Sequence, residues 1–284
     1  KVKGGSFKSL EQPGIPRAIS NIRTQVFIFV AKKVNLIRIL AEKRLALQME
    51  IFRNILVGFL LETLADQYDY DMERVLEVLE KIKAYENGQF DTLFYATALG
   101  EVGVPISEAT PESITLSNKL SFDPILKLEA ELNVKTIVAY STFYVIRHQL
   151  ATYGAMGHSK EAIEKWTVEK GQSRHACIRA GLFESQSSRG IKLLLRKSAK
   201  NPDNLRDPLL RSYFQGKSSK EGIQKFEEGI FNEEKEAYGD CRTTAEDLFQ
   251  SHLQYFDSED PVFINVCGKR IWLSDSPLLL KDYL

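Results

Sequence analysis

Gly216, Lys217 and Ser218 stand in the order that closes a phosphate-binding loop, just ahead of a helix-forming stretch. Such a loop folds backbone N–H groups around a phosphate and needs another glycine five residues before Gly216. Arg211 occupies that place, so the residues read as a turn followed by a helix that Ser218 and Glu221 cap. The stretch YGAMGHSKE, from Tyr153 to Glu161, sets glycines beside Ser159. Their order is not the G-x-S-x-G that exposes a nucleophilic serine, so it reads as a Gly-rich turn with Ser159 as its cap. Asp66, Asp69, Asp71 and Glu73 offer oxygens to a divalent cation, but Asp71 stands where a calcium loop needs glycine. Acids at a helix N-terminus account for the group. His148, His158, His175 and His252 lack the HExxH spacing, and Cys177, Cys241 and Cys267 lie far apart. No catalytic residue, metal or cofactor is expected.

Charge carries the remaining signal. Lys plus Arg balances Asp plus Glu over the 284 residues, yet the two signs are segregated. Ser173 to Lys200 holds seven Lys and Arg (Arg174, Arg179, Arg189, Lys192, Arg196, Lys197, Lys200) against Glu184. If RGIKLLLRKSAK is helical, Arg189, Lys192, Arg196 and Lys200 fall within about 80° of one another, with Ile191, Leu194 and Leu195 opposite. Just upstream, Tyr140, Phe143, Tyr144 and Tyr153 alternate with Arg147 and His148. Aromatic faces beside cations suit a single-stranded nucleic acid. Acidic residues collect between Glu221 and Asp260. The acidic and basic stretches could pair within one subunit or between subunits.

The elements that must position these groups read as mostly α-helical, in two lobes with extended arms. Residues 1–15 form an N-terminal arm and 16–103 a helical N-lobe, in which FDTLFYATALGEVG is helical. Residues 104–124, with three prolines, form a connection holding one short helix capped by Thr110 before Pro111. Residues 125–260 form a helical C-lobe with the basic surface. There VKTIVAYSTFYVIRHQLATYG has strand-like composition but a helix-like length, and its helical neighbours favour helix. Thr243 and Glu246 open a further helix as a capping box. Residues 261–284 form a C-terminal arm with a short β-hairpin at Cys267-Gly268. The apolar runs are too short to span a bilayer and the cysteines are unpaired in sequence, so a soluble, intracellular protein is expected.

The run VFINVCGKRIWLSDSPLLL resembles the opening strands of potassium-channel tetramerisation (BTB-type) domains, and the likeness stops where that fold would continue. The general plan of two helical lobes with exchangeable arms looks like the nucleoproteins and coat (capsid) proteins of RNA viruses. The expected function is a non-enzymatic, RNA-binding oligomer that self-associates through its terminal arms. Arg147, Tyr144, Arg174, Arg179, Arg189, Lys192, Arg196 and Lys197 would hold single-stranded RNA in a groove between the lobes. The alternative is an interaction scaffold whose basic helix docks an acidic partner or a membrane surface.

Overall fold

The computed structural model describes residues 89–96, 98–198, 200 and 205–284. The expected N-terminal arm, the helices placed between 16 and 88 and the acidic group at 66–73 lie outside the described residues. Within them the fold is α/β, which corrects the mostly helical, two-lobed expectation. The chain runs through β1 (Gln89–Tyr95), α1 (Pro111–Ser121), α2 (Asp123–Glu131), β2 (Asn133–Thr142), α3 (Arg147–Leu150) and α4 (Gly154–Thr167). It continues through β3 (Arg174–Ala180), α5 (Gln186–Ser198), α6 (Pro208–Phe214), α7 (Ser219–Tyr238), α8 (Ala245–Asp257), β4 (Phe263–Cys267) and β5 (Arg270–Ser274). These strands form one five-stranded sheet in the order β1-β2-β3-β4-β5. β1 to β4 are parallel, and β5 returns antiparallel beside β4.

Period-two alternation explains the sheet. Leu93, Tyr95, Ile137, Ala139, Cys177 and Phe263 point to one face, where Leu128 of α2 and Ile163 and Trp166 of α4 cover them. Phe94, Val138, Ala176, Ile178, Ile264 and Val266 point to the other, under Tyr255 of α8. A parallel sheet covered on both faces needs strands that are apolar throughout, and such strands lose the polar alternation that marks a half-exposed strand. The segments FDTLFY and VKTIVAYST were therefore open to a helical reading, and both are strands. In the second segment the chain leaves β2 at Thr142, turns, and forms α3 and α4, so its helix-like length is that of several elements joined. The basic segment divides likewise: Arg174 to Ala180 is a buried strand, and only its second part is a helix.

Local signals placed several helix ends. Thr110 caps α1 with Ser113 as its reciprocal partner, and Ser218 with Glu221 caps α7. The cap of α8 is Thr244 with Asp247, one residue beyond the expected pair. Residues 261–284 are no free arm. β4 is buried along its whole length, and the segment after β5 is tied down by Leu278 N–H to Glu164, at 2.6 Å, and Leu280 N–H to Glu161, at 2.8 Å. Self-association by exchange of this arm is corrected accordingly. No helix among the described residues is long and apolar enough to cross a membrane.

A buried ion pair joins the layers. Arg179 in β3 and Glu164 in α4 meet at 2.7 Å, with side chains 4% and 0% exposed. Removing one partner strands a charge in the interior, which costs about 3–5 kcal/mol, while an apolar pair of similar volume is tolerated far better. Arg179→Leu is expected to lower stability by about that amount in denaturant titration, and the double variant Arg179→Leu/Glu164→Leu to recover much of the loss. Deleting residues 261–284 removes the fourth and fifth strands of the sheet, and is expected to abolish the cooperative thermal transition seen by circular dichroism.

Candidate active site at the carboxyl ends of the strands

Open α/β sheets bind their ligands outside the carboxyl ends of the parallel strands. Here those ends bring together Thr142 of β2, Ala180 and Gly181 after β3, and Cys267 of β4. Thr142 Oγ1 donates to Ala180 O at 2.8 Å, bridging two strand ends. The Tyr153 phenol lies beside Thr142, which opposes the rise that burial imposes on it. Gly154 fixes the approach of that phenol: its φ is +47°, and a Cβ there would lie 2.8 Å from Glu101 O. No other residue fits between Tyr153 and the first turn of α4 without strain.

Lys160 follows Tyr153 by seven residues, about two helical turns, so both side chains project from one face of α4 toward β2. Lys160 is 5% exposed, and its Nζ donates to Tyr140 O at 2.9 Å. Burial pulls its amine down to about 8, against the opposing influence of Cys177 and Glu164. Burial likewise pushes the Tyr153 phenol up to about 12; Thr142 opposes the shift and the charge of Glu234 adds to it. Tyr153 is therefore a proton donor held protonated at neutral pH, with a buried cation on the same helical face.

Glu234 reaches the same strand ends from α7. It is 1% exposed, and its Oε1 accepts the Leu182 N–H at 2.6 Å. Its Oε2 has no hydrogen-bond partner. Gly181 allows this approach, since a Cβ there would stand 3.1 Å from Glu234 Oε1, 3.1 Å from Cys267 Sγ and 2.7 Å from Thr243 Oγ1. The neighbouring Glu233 faces the other way. It accepts from the backbone N–H of Arg147 at 2.5 Å and of His148 at 3.1 Å, and it also bonds His148 Nδ1. Two adjacent glutamates thus fasten α7 across the ends of β2 and β3.

The residues expected to hold RNA are dispersed among structural roles. Tyr144 is fully buried, and its hydroxyl donates to Leu278 O. Arg179 lies inside the sheet, where it also donates to Asn265 Oδ1 at 2.7 Å. Arg174, at the start of β3, donates to Tyr255 at 3.1 Å and pairs with Asp260 at 3.3 Å. Arg147 forks onto Asp207 at 2.9 and 3.0 Å. Arg189 pairs with Glu184, and Lys192 with Glu184 and with Glu227 of α7. The acidic and basic stretches therefore meet within one subunit at Lys192–Glu227. Arg196 and Lys197 are exposed on α5. No groove gathers the eight, and Phe143 and Tyr144, two of the aromatics expected to stack on bases, are core. The RNA-binding, nucleoprotein-like reading is corrected on these grounds.

Ser159, weighed as a nucleophile, is buried in α4 and donates to Asn118 at 2.8 Å. Ser218 is spent on its helix cap. The histidines are spent on internal bonds: His175 Nε2 to Glu129 at 2.8 Å, His148 Nε2 to Tyr213 at 2.8 Å, His158 Nε2 to Ile106 O at 3.2 Å, and His252 Nδ1 to Leu248 O at 2.7 Å. No group of three or more metal-ligating side chains occurs among the described residues. Tyr153, Lys160 and Thr142 carried one sequence signal that the reading of charge passed over. A tyrosine before a glycine and a lysine seven residues on share a helical face, after the β-branched run of β2 and the short helix α3. Glu234 had no local signal beyond its acidic surroundings.

No protein-family model matches the chain, and no curated protein matches it. Solved structures share parts of its fold. Enoyl-acyl-carrier-protein reductase (NADH) from Aquifex aeolicus VF5 is 21% identical, with a TM-score of 0.35, over 46% of this chain and 58% of that one. Enoyl-acyl-carrier-protein reductase from Plasmodium berghei is 18% identical, with a TM-score of 0.37, over 49% and 55%. ADP-L-glycero-D-manno-heptose-6-epimerase from Helicobacter pylori is 12% identical, with a TM-score of 0.36, over 69% and 58%. The chain thus spans less than two thirds of the length of each. All three are enzymes, in contrast to the non-enzymatic protein that the charge pattern suggested.

Proposed function

We propose that the chain is an enzyme of the oxidoreductase class whose own residues supply the proton-transfer half of a carbonyl or enone reduction. The observation that carries this reading is the Tyr153 phenol beside Thr142 at the carboxyl end of β2, with the buried Lys160 amine two turns further along α4. A phenol whose proton is held at neutral pH is matched to protonating an alkoxide or enolate oxygen. A buried cation on the same helix favours, in this reading, the negative charge that develops on that oxygen. In this reading the substrate oxygen sits against Tyr153, and Lys160 acts through the field at the strand ends.

The hydride half of such a reaction calls for a carrier such as a reduced nicotinamide dinucleotide, the cofactor named with the Aquifex reductase. This chain's residues do not fit the pyrophosphate end of that carrier. No G-x-G-x-x-G occurs anywhere in the sequence, and backbone N–H groups cannot approach a pyrophosphate without that glycine turn. At the strand ends the Leu182 N–H is already bonded to Glu234. The proposal is accordingly limited to binding, orienting and protonating the substrate.

Absorbance assays with a benzyl dihydronicotinamide, a hydride donor in solution that carries no pyrophosphate, and a panel of ketones, aldehydes and enones test the reading. Turnover is expected, falling by about 10²–10⁴-fold in Tyr153→Phe. Lys160 is charged below its value of about 8, so the rate should decline as pH rises through that value, and Lys160→Met should remove this limb. Absence of both turnover and saturable binding of carbonyl compounds would overturn the proposal.

A further inference from the structure

We propose that the cavity between the loop after β3, α5, α7 and the loop before α8 binds a small aromatic carboxylate, with Arg242 as the residue that takes the charged group. The site does not depend on the reaction proposed above. The cavity measures about 170 Å³, and one of about 150 Å³ holds a benzene ring. Leu182, Phe183 and Phe231 give it an apolar wall, and Lys192 and Arg242 bring cations to its lining. Of these two cations, Lys192 is already paired. Its Nζ lies 2.6 Å from Glu227 and 3.4 Å from Glu184, and Arg189 adds a second cation on Glu184 at 2.9 Å. Two carboxylates thus meet two cations, and together they are neutral.

Arg242 is the cation left over. Its guanidinium carbon lies 4.3 Å from the centre of the Phe231 ring, and no carboxylate or carbonyl among the described residues accepts from its side chain. A guanidinium laid on a ring uses its face, while its N–H donors lie in its plane and stay free to fork onto a carboxylate. The backbone holds it there against its preference. Arg242 has φ +62°, a left-handed conformation that a long side chain rarely adopts. The turn is pinned on both sides of it: Asp240 accepts the Lys269 N–H at 2.8 Å, and Thr243 Oγ1 accepts the Gly268 N–H at 2.9 Å. Thr243 also lines the cavity. Glu184 and Glu227 disfavour a doubly charged anion, so one spare guanidinium beside two phenyl rings suits an aromatic monocarboxylate better than a phosphate.

Isothermal titration calorimetry of the full chain with benzoate, benzyl alcohol and inorganic phosphate tests the site. Benzoate is expected to bind saturably, and benzyl alcohol, the same ring without the charge, about 10–100-fold more weakly. Arg242→Asn removes the guanidinium but keeps a residue that tolerates the left-handed backbone. It should weaken benzoate by the same factor and leave both benzyl alcohol binding and the thermal transition unchanged. Glu227→Gln leaves the strained turn untouched and removes one negative charge from the lining, so it should tighten benzoate. Absence of saturable benzoate binding to the unaltered chain would overturn the proposal. So would a benzoate affinity indifferent to both substitutions, and phosphate bound as tightly as benzoate would overturn the choice of a carboxylate.

Discussion

Glu164 and Arg179 form the joint on which the described structure turns. Glu164, without solvent exposure, accepts from Arg179 Nε at 3.1 Å and Nη2 at 2.7 Å, from Ser141 Oγ at 2.6 Å, and from the Leu278 N–H at 2.6 Å. Arg179 passes the network to Asn265 of β4, whose amide donates to Trp272 O at 3.2 Å and Ser274 Oγ at 2.9 Å in β5. One buried carboxylate therefore connects α4, β2, β3, β4, β5 and the C-terminal segment. A buried pair of this kind is weak evidence for net stability, because desolvation offsets most of its attraction. Its effect is to allow only one register between the helix and the sheet.

That register sets the site. Lys160 lies one turn before Glu164 on α4, and Tyr153 immediately precedes that helix. Anchoring Glu164 beneath β3 therefore fixes the height at which both side chains meet β2. The same joint holds the C-terminal segment, and Tyr144 hydrogen-bonds to Leu278 O from the turn after β2. At the opposite end of the strands a second polar cluster performs a matching structural task. Glu129 accepts from the Ser173 N–H at 2.9 Å and the Trp166 indole at 3.2 Å and bonds His175 at 2.8 Å. Burial pushes its carboxyl up, but these bonds outweigh burial and hold it below the usual carboxylate range.

The helix α7 is where charge and fold interact most directly. Its acidic residues, which in sequence suggested a surface for a neighbour, are divided by the helix's own periodicity. Glu227 turns to Lys192 of α5, Glu233 to the turn after β2, and Glu234 to the strand ends. Phe143, Tyr238 and Trp272 stack beside them, with Phe143 and Tyr238 ring centroids 3.9 Å apart. The stack joins Tyr238 of α7 to Phe143 after β2 and Trp272 of β5, so α7 is held to the sheet by rings as well as by glutamates.

What the sequence determined by itself was local. The Thr110 and Ser218 caps and the reversal at Gly268 were legible, since their bonds or backbone angles close within a few residues. The basic helix was legible in part: Ile191 and Leu195 are buried as 3.6 residues per turn requires, whereas Leu194, expected beside them, is 38% exposed. Strand identity was not. β1 and β2 are stabilised by partners some forty residues away, as in Leu93 beside Ile137, and burial on both faces erases the alternation that would announce them. The role of Arg179 was equally hidden, because a buried cation and a solvated one have the same letter, and only Glu164 distinguishes them. Thr142, Tyr153 and Lys160 lie close in sequence, and their spacing held a readable hint. The arrival of Glu234 at Leu182, beside the strand ends, was decided by tertiary structure alone, because α7 lies far along the chain from β2 and α4.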